Sequence, residues 1–282
     1  MFISPREQDV VEYFAGVLIQ HGPLNDRIYL MNLEQADPKI VIKALTEKAE
    51  HFGYTKIFAK IPASAAKQFI LSGFRIEARV PLFFNRTEDA LFLGYYLDER
   101  RSHEKEIVSA GVAPLNSTRN NRPRRVKSSC ASIRHCSIDD ADVMADIYRQ
   151  VFATYPFPIG EPGYLVKQMQ TGVSYFGVEC EGSLVSLAAI EADSKASAAE
   201  MTDFGTLTEW RGNGYARDLL KHMEVAAKRA GILTAFTIAR TNSPGMNYVF
   251  LQGGYSFGGR LINNTNISGN IESMNVWHKA LS

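Results

Sequence analysis

Apolar and polar positions along this chain alternate in short runs that switch between the period of a strand and the period of a helix, the pattern of a mixed α/β fold. Near the start, 27–32 and 56–61 read as strands: brief apolar runs bounded by turn residues. Between them, 38–51 has the spacing of a helix. Asp37 stands where a side chain caps the first amides, and Pro38 where a missing N–H costs nothing. Residues 63–71 predict a short helix stopped by Gly73, and 74–84 and 90–97 a strand pair around the polar turn 85–89.

The later part of the chain repeats the style. A helix is expected over 139–152. Tyr155-Pro156-Phe157-Pro158 must be a loop, because each proline disfavours helix in the residue before it. A second helix follows at 164–170, then a hairpin of 173–180 and 183–191, then a strand at 199–207. Residues 215–230 predict a long helix ended by Gly231, 233–238 a strand, and 247–252 a short helix ended by Gly253-Gly254. Two final strands cover 257–263 and 272–281.

Between these halves, over 102–129, periodicity fades. Five basic residues and no acid lie between Arg119 and Lys127, with Pro114 and Pro123 close by. The expected organisation is an N-terminal α/β domain at 1–101, a polar basic linker at 102–130 and a second domain at 131–282. The basic cluster suits either a phosphate contact or a solvated loop. The halves share an order: strand 56–61, helix 63–71, Gly73-Phe74 and two strands match strand 233–238, helix 247–252, Gly254-Tyr255 and two strands. Duplication and chance reuse of a common pattern both explain this.

Composition narrows the function classes. The net charge of +1 gives no general attraction for nucleic acid or an anionic membrane, so neither is expected as a partner. The first residues lack the marks of a signal peptide and no run approaches about 18 apolar residues, so a cytoplasmic protein is expected. Cys130 and Cys136 are too far apart for a zinc knuckle despite His135 between them, so no metal is expected; Cys180 reads as core.

The chemistry concentrates in 200–230, EMTDFGTLTEWRGNGYARDLLKHMEVAAKRA. An apolar strand runs into a loop with two glycines that opens directly into an amphipathic helix. The first amides of a helix have no internal partner, and its dipole places positive charge there. Gly212 and Gly214 clear the approach, so the loop is an anion cradle. It lacks the Gly-Lys-Ser/Thr of a Walker loop and the GxGxxG spacing of a dinucleotide fold.

Arg211, Gly214 and Ala216 resemble the acetyl-CoA signature of the GNAT superfamily, Arg/Gln-x-x-Gly-x-Gly/Ala, and the element order over roughly 133–281 is similar too. The resemblance implies a GNAT acyl-CoA N-acyltransferase fold in the C-terminal half, preceded by a smaller α/β domain that reads as a degenerate GNAT-like copy if it is a copy at all. It implies acetyl-CoA as co-substrate, with the backbone of Gly205, Thr206 and Leu207 on pantetheine, an amide near Leu207 polarising the thioester carbonyl, and the amides of Arg211, Gly212, Asn213, Gly214, Tyr215 and Ala216 on the diphosphate. Asn242 and Asn247 fall where the family places polar CoA contacts.

An alkyl ammonium, with a pKa near 10.4, must lose a proton before it attacks. Glu200, eleven residues before Arg211, is the leading base and Asp203 the second; strict alternation puts them on opposite faces, so only one is expected at the substrate. The usual family tyrosine acid falls at Phe250, and helical spacing turns the nearby Tyr248 elsewhere. No cysteine suits a nucleophile, so direct transfer in a ternary complex is expected.

The phrases NDRIYLMNL, GYTKIFAKIP, FRIEARVPLFF, YPFPI, AEMTDFGTL and NNTNISGNIESMNVWHKAL resemble the β-lysine N-acetyltransferase family. That resemblance implies acetylation of the terminal amine of β-lysine, a small-molecule partner, to give the osmolyte Nε-acetyl-β-lysine. Asn263, Asn264 and Asn266 are then candidates for the substrate carboxylate, and Tyr155 and Phe157 for its aliphatic chain. Another amine, small or on a protein, and a non-catalytic acyl-CoA sensor are the alternatives; a homodimer is compatible with the sequence.

Overall fold

The computed structural model describes residues 9–104 and 131–281. The expected basic cluster and Cys130 lie outside them. Two antiparallel strands open the fold, β1 (Val10–Phe14) and β2 (Val17–Gly22), followed by β3 (Arg27–Asn32), α1 (Pro38–Phe52), β4 (Lys56–Pro62), α2 (Ala66–Leu71), β5 (Arg75–Phe84) and β6 (Glu88–Tyr96). The second half runs β7 (Ser132–His135), α3 (Ala141–Val151), α4 (Pro162–Gln170), β8 (Ser174–Cys180), β9 (Ser183–Asp193), β10 (Ala198–Thr206), α5 (Tyr215–Arg229), β11 (Thr234–Arg240), α6 (Pro244–Gln252), β12 (Ser256–Ile267) and β13 (Asn270–Ala280).

All thirteen strands of the described residues join one sheet, in the order β1-β2-β3-β4-β6-β5-β12-β13-β11-β10-β9-β8-β7. The order is palindromic about β5 and β12. In the first half, β3 and β4 are parallel across α1, and β4 then pairs antiparallel with the second strand of the β5–β6 hairpin. In the second, β10 and β11 are parallel across α5, and β11 pairs antiparallel with the second strand of the β12–β13 hairpin. The two halves therefore share one topology, with a meander feeding each crossover.

Local sequence explains the first crossover. Asp37 accepts from Lys39 N at 2.8 Å, Pro38 occupies the first helical position, and Gly53 ends α1 in the left-handed region at φ 70°. An acidic cap with a proline behind it repels anions, so this helix start is no phosphate site.

The seam between halves is narrow in backbone pairing and dense in polar contacts. β5 and β12 meet at Ala78 and Gly259; a Cβ on Gly259, which sits at φ 141°, would lie 2.3 Å from the Glu77 carbonyl oxygen. Buried Lys56 donates to both Glu77 oxygens, at 3.1 and 2.9 Å, and to Ile262 O at 2.7 Å. The Tyr96 hydroxyl also donates to Glu77. Arg101 donates to Asn25 O, Asp26 O and Asn263 O at 2.7, 2.6 and 3.0 Å. Phe58, Phe83 and Phe92 from the first half share one apolar core with Phe236, Leu261 and Met274 from the second.

Candidate active site

β10 and β11 pair only over residues 198–200 against 234–236, and beyond Glu200 they part. Parallel strands that diverge leave backbone groups unpaired on their facing edges. α5 begins beyond the unpaired end of β10. Gly212 and Gly214 have φ of 85° and 82°, and the bond that opens the helical ladder runs from Asp218 N to Gly214 O at 3.1 Å. The amides of Tyr215, Ala216 and Arg217 thus have no helical carbonyl to bond. Arg211 Nε donates to Thr206 O at 3.0 Å, latching the glycine loop to the end of the strand.

A cavity of about 770 Å³ runs from this helix start, along the gap, to a wall supplied by the first half through Arg27, Tyr29 and Phe58. Three carboxylates line it: Glu191, Glu200 and Asp203. β10 carries a bulge between Thr202 and Gly205, and Asp203 sits in it at φ 55°. Before the bulge, Ala199 and Met201 face the α5 core; after it, Phe204 does. The extra residue flips the alternation and turns Asp203 onto the face of Glu200. The expectation that only one of the two meets the cavity is therefore corrected.

Asp203 is buried, Glu200 half-buried and Glu191 open to the cavity. The Tyr155 hydroxyl donates to Asp203 Oδ1 at 2.6 Å. Removal from bulk water pushes all three carboxyls above their ordinary range, Glu200 to about 7. Mutual repulsion adds to this at Glu191 and Glu200, while Lys60 draws both back down and the Tyr155 and Thr202 hydroxyls favour ionised Asp203. A protein that gathers carboxyls against their own repulsion makes a cation trap and holds a base stronger than an exposed carboxylate.

Comparison with known proteins decides the family. The Acetyltransferase (GNAT) family model matches residues 143–248. The chain is 36% identical to a Beta-lysine N(6)-acetyltransferase of Methanococcus maripaludis, over 93% of this chain and 95% of that one. The chain belongs to the β-lysine N-acetyltransferase family of the GNAT superfamily. It is 39% identical to a Beta-lysine N(6)-acetyltransferase of Methanosarcina mazei over 50% of this chain and 52% of that one, and 30% identical to N-acetyltransferase YodP of Bacillus subtilis over 94% and 96%. It is an N-acetyltransferase.

In this GNAT enzyme several expected site residues meet and others do not. Thr206, Arg211, Gly212, Gly214, Tyr215 and Ala216 border the cavity, as do Tyr155, Phe157 and Asn264. Asn213 borders the loop instead, donating to Trp210 O at 2.9 Å. Leu207 N donates to Val185 O at 3.0 Å and Gly205 pairs with Leu187, so both are tied to β9. The Leu207 amide is not the donor that polarises the thioester. Thr206, between them, carries the backbone on the open edge.

Four asparagines need correcting. Asn247 is buried; it donates to Arg240 O and Ser243 O, both at 2.8 Å, and accepts from Asn275 and Trp277, both at 2.9 Å. Its amide has nothing left for a cofactor. Asn242 is exposed in the turn before α6, outside the cavity wall. Asn263 donates to Arg101 O and His103 O at 2.9 and 2.8 Å, and Asn266 to Leu24 O at 2.9 Å, so both stitch the seam. Tyr248, expected to turn elsewhere, borders the cavity while 46% exposed, beside buried Phe250.

Sequence reasoning missed Glu191 and the whole contribution of the first half. A signal was present: Arg27 and Tyr29, and Lys56, Phe58 and Lys60, are charged and aromatic residues two apart within apolar strands. Such a face, opposite the one that packs on helices, belongs to a site or a polar seam.

Proposed function

We propose that the enzyme transfers the acetyl group of acetyl-CoA to the terminal amine of β-lysine, giving the compatible solute Nε-acetyl-β-lysine, by direct attack in a ternary complex. The observation that carries this reading is the convergence of Glu191, Glu200 and Asp203 on the cavity at the point where β10 and β11 part. β-Lysine brings two ammonium groups and one carboxylate, and a triad of carboxyls is the complement of a dication. The two relatives named Beta-lysine N(6)-acetyltransferase support the choice of amine.

Acetyl-CoA would lie with its diphosphate on the amides at the start of α5 and its pantetheine in the gap, which aims the thioester toward Glu200. Glu200, with its raised proton affinity, takes the proton that the attacking ammonium must lose. Asp203 and Glu191 hold the cation and keep the second charge neutralised. The amine then attacks the carbonyl carbon, an open-edge backbone amide stabilises the tetrahedral oxyanion, the C–S bond breaks, and the departing CoA thiolate takes the proton that the new amide nitrogen sheds. In this reading the segment 1–101 walls the substrate side, 131–282 holds the donor, and the enzyme works in the cytoplasm. No helix among the described residues is long and apolar enough to cross a membrane.

The test is CoA release from acetyl-CoA by purified protein with β-lysine, α-lysine or spermidine, with the product located by mass spectrometry. Preference for β-lysine with acetylation on its terminal nitrogen is the expected result. Equal or greater turnover of spermidine would displace β-lysine as the substrate.

A further inference from the structure

The cavity has a second pole, built by the first half of the chain. Arg27, at the start of β3, is 4% exposed and lines the cavity wall. It makes no ion pair among the described residues. Its buried neighbours differ: Arg101 pairs with Asp26 at 3.0 Å and Lys56 with Glu77 at 2.9 Å. Arg27 Nη1 donates to the Asn264 carbonyl oxygen and, at 3.2 Å, to Thr265 Oγ1, while Nε has no protein partner. The Asn264 side-chain oxygen beside it also lacks one. The guanidinium lies 5.6 Å from the Tyr29 ring and 5.5 Å from the Phe58 ring, which hold it in place.

Asp9 and Glu77 favour the charge of Arg27 only from a distance; a buried guanidinium with no carboxylate in contact is costly, and its planar fork matches a carboxylate. The wall residue between the poles supports a short span. Tyr29 lies within electrostatic reach of both Arg27 and Glu200. Arg240, also on the wall, is already spent on Glu272, at 2.6 and 3.0 Å, Arg211 and Arg217 line the wall at the start of α5, and Lys60 acts on Glu191 and Glu200, so Arg27 is the guanidinium that the first half adds to the wall.

We infer that Arg27 is the specificity residue that receives the carboxylate of the amino-acid substrate, with Asn264 and Thr265 beside it. The inference rests on the substrate reading above and deepens it: the carboxyl triad selects an amine, and Arg27 selects an amine that is also an acid. The first half of the chain then determines the substrate class, while the second carries the donor and the reaction.

The experiment compares β-lysine with 1,4-diaminopentane, the same diamine with hydrogen in place of the carboxylate, on wild type, Arg27→Gln and Arg27→Lys. Wild type is expected to favour β-lysine by about 100-fold or more in kcat/KM. Arg27→Gln should raise KM for β-lysine by a similar factor with a smaller change in kcat, and leave 1,4-diaminopentane turnover within a few-fold of wild type. Arg27→Lys should recover part of the β-lysine KM. Equal loss on both substrates in Arg27→Gln marks a purely structural role and overturns the assignment. Should that variant not fold, the wild-type ratio decides: equal turnover of the two substrates overturns the Arg27 assignment and leaves amine acetylation standing. A wild type inert on both overturns the substrate reading and the assignment together.

Discussion

The Tyr155 hydroxyl, on a proline-braced loop, donates to Asp203 Oδ1 at 2.6 Å, across to a residue whose position depends on a strand bulge. The bond stabilises ionised Asp203 and opposes the burial that pushes its carboxyl upward. Tyr155→Phe removes the donor, so the Asp203 proton affinity rises further. The acidic limb of the kcat/KM profile should shift to higher pH, with a loss of roughly tenfold at pH 6 that shrinks toward pH 8. A loss of equal size at both pH values would take Asp203 ionisation out of that limb.

Glu200→Gln should lower kcat by about 10²-fold or more while changing the KM for amine less. It also carries a stability signature. Folded Glu200 holds its proton up to about 7, well above an ordinary glutamate, so between about pH 4.3 and that value the folded protein binds more protons than the unfolded chain. Stability from this source is full below that interval and falls as pH rises through it. The apo-enzyme Tm should therefore drop between pH 5.5 and 8, by roughly 3 °C or more, and the slope should be shallower in Glu200→Gln. Parallel Tm curves for the two proteins would show that Glu200 titrates as it does in the unfolded chain.

Gly214→Asp places a side chain at φ 82°, where a Cβ meets Arg217 Nη2 at 3.2 Å, and adds a negative charge at the helix start. Acetyl-CoA affinity should fall by about 100-fold in equilibrium binding, with little change in affinity for the amine. Unchanged acetyl-CoA affinity would remove the helix start from the donor site.

Asn247→Ala tests a residue that the sequence placed at the cofactor and the structure places in the core. It strips partners from the Trp277 indole and the Asn275 amide, so it should cost about 2–3 kcal/mol of stability in denaturant titration. Acetyl-CoA affinity of the folded variant should stay within about threefold of wild type. A large loss of affinity without loss of stability would restore Asn247 to the site.

The strand-loop-helix carrying Arg211 to Ala216 was legible because glycine, helix start and apolar periodicity all act locally. So were α1 with its Asp37 cap and the strands on either side of each crossover. β1, β2 and β7 were not: Val10, Val11 and Tyr13 are exposed, and four residues such as Ser132–His135 carry no period. Asp203 was misread because a bulge changes parity without a compositional mark. Asn263 and Asn266 of β12 look like turn or ligand residues in sequence, and only the fold shows that the seam consumes them while Asn264 between them borders the cavity. Arg27 was passed over because its partners lie more than two hundred positions away, at Asn264 and Thr265.

The two crossovers, alike in topology, lead into their helices differently: uncharged Gly-Asn-Gly opens α5, and the Asp37 carboxylate with Pro38 closes the start of α1. In the proposed reading one helix start takes the diphosphate and the other, capped by Asp37, does not. A titration of the intact chain with CoA should therefore reach its end point at one equivalent, and the half without a nucleotide is free to spend its inner face on the acceptor.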